Sequence, residues 1–256
     1  MRIIVWNISC NTMKNDKNRA EEILGTINKA DCDIVLLTEY QPNTFGKIIE
    51  TKLYDRQYKI YTPKNASAKD TCSLLIAVKN KEKETKKLKY DFNLERRYVA
   101  IKVTDMFEIN NLKILGIHVP PIQQQKGVLK EESITERKEP YIQSILKCAH
   151  LFKSNNEYAI IAGDFNPYTE DVFKQYTIKY PYRPLTDCIT NLESKGWINC
   201  YPTSNQIGNN CSPNRLDYVF LSPAFRDKIV SFSAEFIETK DNVSDHRPLI
   251  CEVKLC

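Results

Sequence analysis

Short apolar runs that stop at an acid, an amide or an imidazole recur along this chain, and they constrain its fold more than any other feature. "RIIVWNI" (2–8) carries Asn7 near its end, "CDIVLLTEY" (32–40) carries Glu39, and "LKILGI" runs directly into His118. "AIIAG" is followed by Asp164 and Asn166, Asp217 sits in "RLDYVFL", and Asp245 and His246 precede "PLICEV". Runs of this length, rich in β-branched residues, read as buried strands. A polar group at the end of one strand is ordinary turn chemistry. A series of them is what an α/β protein needs when its strand ends converge on one cleft.

Between these runs the chain alternates. After Asp16, a helix cap, Ala20, Ile23, Leu24, Ile27 and Ala30 recur at helical spacing to about residue 31. Strand, helix and strand in that order predict an α/β layered domain. "QYKIYTP", "CSLLIAVK" and "RRYVAIKV" read as further short strands, and "FEINNLKILGIHV" as a hairpin turning at Asn110 and Asn111, so antiparallel pairing is expected beside the opening unit. The lysine-dense "KNKEKETKKLK" (79–89) reads as a solvated connection. The stretch after His118, to about residue 137, reads as a large surface loop. Tyr141, Ile145, Leu146, Ala149 and Leu151 mark a packed helix carrying His150, which reads as structural. Strands are expected at 158–165, 215–222, 229–237 and 248–255, with a helix near 185–195. No repeat or linker divides the 256 residues, so one domain over 1–256 is expected.

Composition narrows the chemistry. The formal charge of +5 permits a polyanionic partner without demanding one. Nine cysteines, an odd number with no CxxC pair, several in apolar runs, read as reduced core residues. They argue against a disulfide framework and a thiolate zinc site. No apolar run suits a membrane span, and the strand-like beginning differs from a leader, so a cytoplasmic protein is expected. No signal for an oligomeric state is present.

Carboxylates and carboxamides with few imidazoles form a hard-oxygen site, suited to Mg²⁺ or Mn²⁺. Such a cation, an imidazole and amide donors make sense around a phosphoryl group, whose attacking and leaving oxygens carry negative charge. Neither a P-loop nor a serine elbow is present.

In order, "WNI", "LLTEY", "GIHV", "AGDFN", "RLDYVFLS" and "SDHRPL" resemble the motifs of the endonuclease/exonuclease/phosphatase superfamily, which includes DNase I, abasic-site endonucleases, sphingomyelinases and inositol polyphosphate phosphatases. The resemblance spans nearly the whole chain. It implies a DNase I-like four-layer α/β sandwich, two packed mixed β-sheets flanked by helices, with a metal cleft at one end. By motif, Glu39 and Asn7 resemble the family's metal ligands, Glu39 the principal one, and Asp245 a further acidic contact near the metal. Asp164 is similar to the residue that positions or deprotonates the attacking water, and Asn166 to the one that holds the phosphate oxygen and that water. Asp217 resembles the partner of His246, whose imidazolium stabilises the transition state. His118 resembles the additional histidine of the DNase I and phosphodiesterase branches, a phosphate contact or an aid to the leaving group. The abasic-endonuclease branch more often has tyrosine there, which points away from a housekeeping repair enzyme. Arg97 is a candidate phosphate contact, with Tyr40 and Arg247 as lesser candidates.

The resemblance implies a Mg²⁺-dependent phosphodiesterase, Mn²⁺ being the alternative ion, and the mild basicity favours nucleic acid as its substrate. A phosphatase or phosphodiesterase of a small phosphorylated metabolite or lipid headgroup is the alternative, and a catalytically inactive nucleic-acid-binding scaffold a third reading. Substrate choice is expected to reside in loops such as 119–137 and 200–214.

Overall fold

The computed structural model describes residues 1–10, 13–63, 66, 67, 69, 73–80, 83–90, 97–120, 124, 125, 128, 129, 139–167, 184–201, 216–240 and 242–256. Most of the two loops expected to choose the substrate, together with Cys72 and Cys211, lie outside the described residues.

In chain order the elements are β1 (Arg2–Asn7), α1 (Lys17–Ala30), β2 (Ile34–Tyr40), α2 (Thr44–Asp55), β3 (Tyr58–Tyr61), β4 (Ser73–Lys79), β5 (Thr85–Lys87), β6 (Tyr98–Val103) and β7 (Leu112–His118). Then follow β8 (Gln124–Gln125), β9 (Val128–Leu129), α3 (Glu139–Ser154), β10 (Ala159–Asp164), α4 (Pro184–Ser194), β11 (Ile198–Asn199), β12 (Asp217–Leu221), β13 (Ile229–Phe236) and β14 (Leu249–Leu255). Twelve of the strands form two six-stranded sheets, ordered β13-β14-β1-β2-β4-β3 and β11-β12-β10-β7-β6-β5. Each sheet is mixed: β1 pairs β2 and β7 pairs β10 in parallel, whereas the other pairings are antiparallel.

Side-chain alternation builds the layers. Ile3 and Val5, Ile34 and Leu36, Ile114, Ile160 and Ala162, Val219 and Leu221 turn toward the opposite sheet and fill the space between the two. The intervening residues of the first sheet, such as Ile4, Trp6, Val35 and Leu37, pack against Ile23 and Ile27 of α1 and Phe45 and Ile49 of α2. Those of the second sheet, Leu115, Ile117 and Ile161, pack against Ile145, Cys148 and Phe152 of α3 and Leu192 of α4. The result is the expected helix, sheet, sheet, helix sandwich. The six buried described cysteines are reduced and Cys256 is exposed, as their apolar neighbours predict. No described helix is long and apolar enough to cross a membrane.

Local expectations fail in instructive places. The polar run 79–89 includes β5, whose Thr85 pairs Val103 and Lys87 pairs Ile101, because an edge strand on the sandwich can expose most of its side chains. The β6–β7 hairpin reverses at Phe107 and Glu108, both with positive φ (55° and 59°), and not at Asn110 and Asn111. Burial of the flanking Met106 and Ile109 overrides the usual preference of asparagine for that conformation. Leu151 is exposed and His150 lies on the outer face of α3; Ile142, Ile145, Cys148, Ala149 and Phe152 are buried, with Tyr141 and Leu146 partly buried against them. The helix α2, which strand patterning does not announce, is capped by the Asn43 side chain and buries Phe45, Ile49 and Leu53.

Candidate active site

The alternation that fills the core also makes the site. On β1, β7, β10 and β12 the inward-facing apolar series ends with Asn7, His118, Asp164 and Asp217, all at most 1% exposed. Asp164 is the register partner of both His118 on β7 and Asp217 on β12, so three strands place three polar side chains in one row. The first sheet answers with Asn7, whose Nδ2 donates to Asp164 Oδ2 at 3.0 Å.

Glu39 enters by a different route. Regular alternation along β2 would send it outward with Val35 and Leu37. A register shift between Thr38 and Tyr40, with Glu39 at φ 49°, turns its side chain into the cleft. There its Oε1 lies 3.9 Å from His118 Nε2, which is also 3.8 Å from Asp164 Oδ2. Arg97 Nη1 stands 3.5 Å from His118 Nδ1, so Arg97 belongs to the same group.

Gly163, immediately before Asp164, has φ 140°, and a Cβ there would stand 1.9 Å from the Ile117 carbonyl oxygen. The close approach of β10 to β7 at the site therefore requires glycine. Asn166 does not stand beside Asp164 through strand alternation. It lies beyond the strand at φ 42°, where its backbone N–H donates to Asp164 Oδ1 at 2.8 Å, and its Nδ2 donates to the Val119 carbonyl at 2.8 Å. An Asx-type turn thus holds the two residues together.

The loop before β14 supplies the rest. His246 Nδ1 is 2.8 Å from Asp217 Oδ2, and Ser9 Oγ donates to Asp245 Oδ1. Ser244 Oγ donates to the Asn7 carbonyl at 2.6 Å, contacts Ser9 Oγ at 2.8 Å and accepts from the His246 N–H at 3.0 Å. These two serines escaped the residue-type reasoning, although Ser9 directly follows "WNI" and Ser244 opens "SDHRPL". Trp6 Nε1 donates to the His246 carbonyl at 2.9 Å. The lesser candidates lie elsewhere: buried Tyr40 donates its hydroxyl to Glu50 on α2, and Arg247 pairs with Glu238 at the surface.

Electrostatically the cleft is rich in carboxylate. Burial, together with the nearby Asp217, pushes the Asp164 carboxyl up to about 7, against the opposing pull of His246 and the Asn166 and Asn7 hydrogen bonds. Burial also raises Glu39, partly offset by a hydrogen bond from Asn7 and the charge of His246, while Asp245 adds to the rise. Donor atoms of Asp164, Asp217 and His246 lie within 4.8 Å of one another. The buried carboxylates of Asp164 and Asp217, the partly buried Glu39 and the exposed Asp245, set around two imidazoles and one guanidinium, fit a divalent cation bound through oxygen.

The Endonuclease/Exonuclease/phosphatase family profile matches residues 4–246. The chain belongs to the endonuclease/exonuclease/phosphatase family. It is accordingly a phosphoric ester hydrolase. A search of curated proteins finds no match. Among solved structures, the 3' phosphatase NExo from Neisseria, bound to a product DNA hairpin, is similar at 15% identity and TM-score 0.71, covering 99% of each chain. An AP endonuclease from Archaeoglobus fulgidus is similar at 13% identity and TM-score 0.65, also covering 99% of each. D. rerio TDP2 complexed with a single-strand DNA product gives 15% identity and TM-score 0.62, covering 98% of this chain and 97% of that one. At these identities the likeness carries the fold, which is the DNase I-like sandwich.

Proposed function

We propose that this hydrolase is a Mg²⁺-dependent nuclease, cleaving phosphodiester bonds of DNA or RNA, with Mn²⁺ able to replace Mg²⁺. The observation that carries the reading is the row His118–Asp164–Asp217 facing Asn7 and Glu39, with His246 bonded to Asp217. The DNA products held by the NExo and TDP2 structures favour nucleic acid over a small phosphorylated metabolite.

In this reading Glu39, Asn7 and Asp245 would hold the cation, which would supply neutralisation of charge on the phosphate. Asp164 orients the attacking water and accepts its proton, for which a carboxyl raised by burial is suited near neutral pH. Asn166 holds that water and a phosphate oxygen. Asp217 fixes the His246 ring through Nδ1 and stabilises its positive charge as the imidazole faces the pentacoordinate phosphorus. His118 and Arg97 contact the phosphate from the β7 side.

The test is incubation of labelled DNA and RNA with Mg²⁺ or with EDTA, beside Asp164→Ala and His246→Ala. Cleavage that needs the metal and is lost in both variants supports the reading. Metal-independent cleavage, or full activity in the variants, sinks it. Turnover confined to nucleotides, inositol phosphates or sphingomyelin would assign the same residues to a small substrate or lipid headgroup.

A further inference from the structure

Arg19 is a buried guanidinium in the first turn of α1, 5% exposed, where a positive charge opposes the helix dipole. Helix stability therefore gives no reason for it. Its contacts do. Nε donates to the Val243 carbonyl at 2.7 Å, one residue before Ser244, Asp245 and His246. Nη1 donates to Asn15 Oδ1 at 2.6 Å. Asn15 Nδ2 in turn donates to the Cys10 carbonyl at 3.0 Å and to Gln41 Oε1 at 2.9 Å. Cys10 lies three residues beyond Asn7, and Gln41 two residues beyond Glu39. The guanidinium also sits 5.2 Å from the centre of the Phe45 ring of α2, which holds its plane.

One side chain and its asparagine thus join the three loops that leave the first sheet at Asn7, Glu39 and Asp245. We propose that Arg19, acting through Asn15 and the Val243 carbonyl, is a positioning residue that sets the spacing of Asn7, Glu39 and Asp245 for a divalent cation. The inference rests on the metal-site reading above and adds to it the device that holds the site in register. A planar fork is needed, because Nε and Nη1 bond two acceptors on different loops at once. Lysine carries the charge but reaches only one of them.

The test measures Mn²⁺ binding by electron paramagnetic resonance on the full chain, with nuclease kinetics and melting temperature alongside. For Arg19→Ala, Mn²⁺ affinity is expected to fall about tenfold or more, the scale seen when a residue supporting metal ligands is removed. kcat should fall with it while KM for a short oligonucleotide stays near the wild-type value. Arg19→Lys should restore only part of the affinity. Asn15→Ala, which leaves the buried arginine in place, should weaken Mn²⁺ in the same direction and decides the matter if Arg19→Ala does not fold. Mn²⁺ affinity within twofold of wild type in Asn15→Ala and Arg19→Lys, whatever their melting temperatures, overturns the proposal. Wild-type protein that binds Mn²⁺ but cleaves no nucleic acid overturns the nuclease reading instead, and the binding comparison still judges Arg19. Wild-type protein that binds no Mn²⁺ overturns both.

Discussion

Asn7 Nδ2 and Asp164 Oδ2, 3.0 Å apart, join the two sheets at the polar end of the core they share. Each side chain continues an apolar series, Ile3 and Val5 on one strand and Ile160 and Ala162 on the other. Asn7→Ala removes the amide and leaves the buried Asp164 oxygen without that donor. A stability loss of about 1–3 kcal/mol is expected. Metal-dependent cleavage should fall at least tenfold. Denaturant unfolding and initial-rate assays check the two effects.

Asp217→Asn keeps the shape beside His246 but replaces a carboxylate by an amide that cannot balance a positive ring. kcat should drop by roughly a hundredfold or more, with KM little changed. A pH–rate profile that loses its acidic or basic limb in the variant would show that the pair acts as a unit. Equal kcat in the two proteins would remove Asp217 from the proposed chemistry.

Gly163→Ala places a methyl group where the Ile117 carbonyl oxygen stands and imposes φ 140° on a residue with a Cβ. We expect destabilisation of about 2 kcal/mol or more, since both strain and overlap must be relieved by moving β10 from β7. The melting temperature should fall several degrees, and cleavage should fall further than the folded fraction accounts for. A variant as stable and active as wild type would contradict the tight register described for this end of the sheet.

In chelator, the melting temperature should depend on pH through Asp164. Its folded-state pKa, about 7, exceeds the ordinary value of 3.8, so between them the folded protein holds more protons there than the unfolded chain. The contribution of this group to stability is therefore greatest at low pH and declines as pH rises from about 4 to about 7. Asp164→Asn cannot titrate and should gain stability relative to wild type across that window. Scanning calorimetry of both proteins at several pH values measures the difference. Saturating Mg²⁺ should shrink it by stabilising the carboxylates in charged form.

Glu39→Gln retains the side-chain length and removes the charge. Mn²⁺ affinity should weaken by about tenfold or more, and the metal-free protein should become more stable, because a desolvated carboxylate raised by burial is no longer held in the cleft. Isothermal calorimetry and melting in EDTA test the two signs together.

Much of this site is legible in the sequence because its grammar is that of strand alternation. Apolar residues two apart along β1, β7, β10 and β12 point inward, and the next polar residue in step becomes part of the cleft. Departures from that grammar show as residue types at strand ends, but their backbone route is hidden. Glu39 reaches the cleft only through a bulge, and Asn166 only through a left-handed turn. Neither leaves a hydrophobic period to read. Ser9, Ser244 and Arg19 are hidden for a second reason: their partners are 235 or 224 residues away in sequence, and hydrogen bonds between loops have no local spacing. The edge strand β5 is masked by its own lysines, which an exposed strand tolerates and a buried one would not.

The bond from the Trp6 indole to the His246 carbonyl gives the molecule an optical reporter of its own. The chain has two tryptophans, so Trp197→Phe leaves one emitter, whose ring is seated under the loop bearing the histidine. Any shift of that loop on loading the cleft alters the dipole facing the indole, and the emission maximum then follows occupancy in solution without a label.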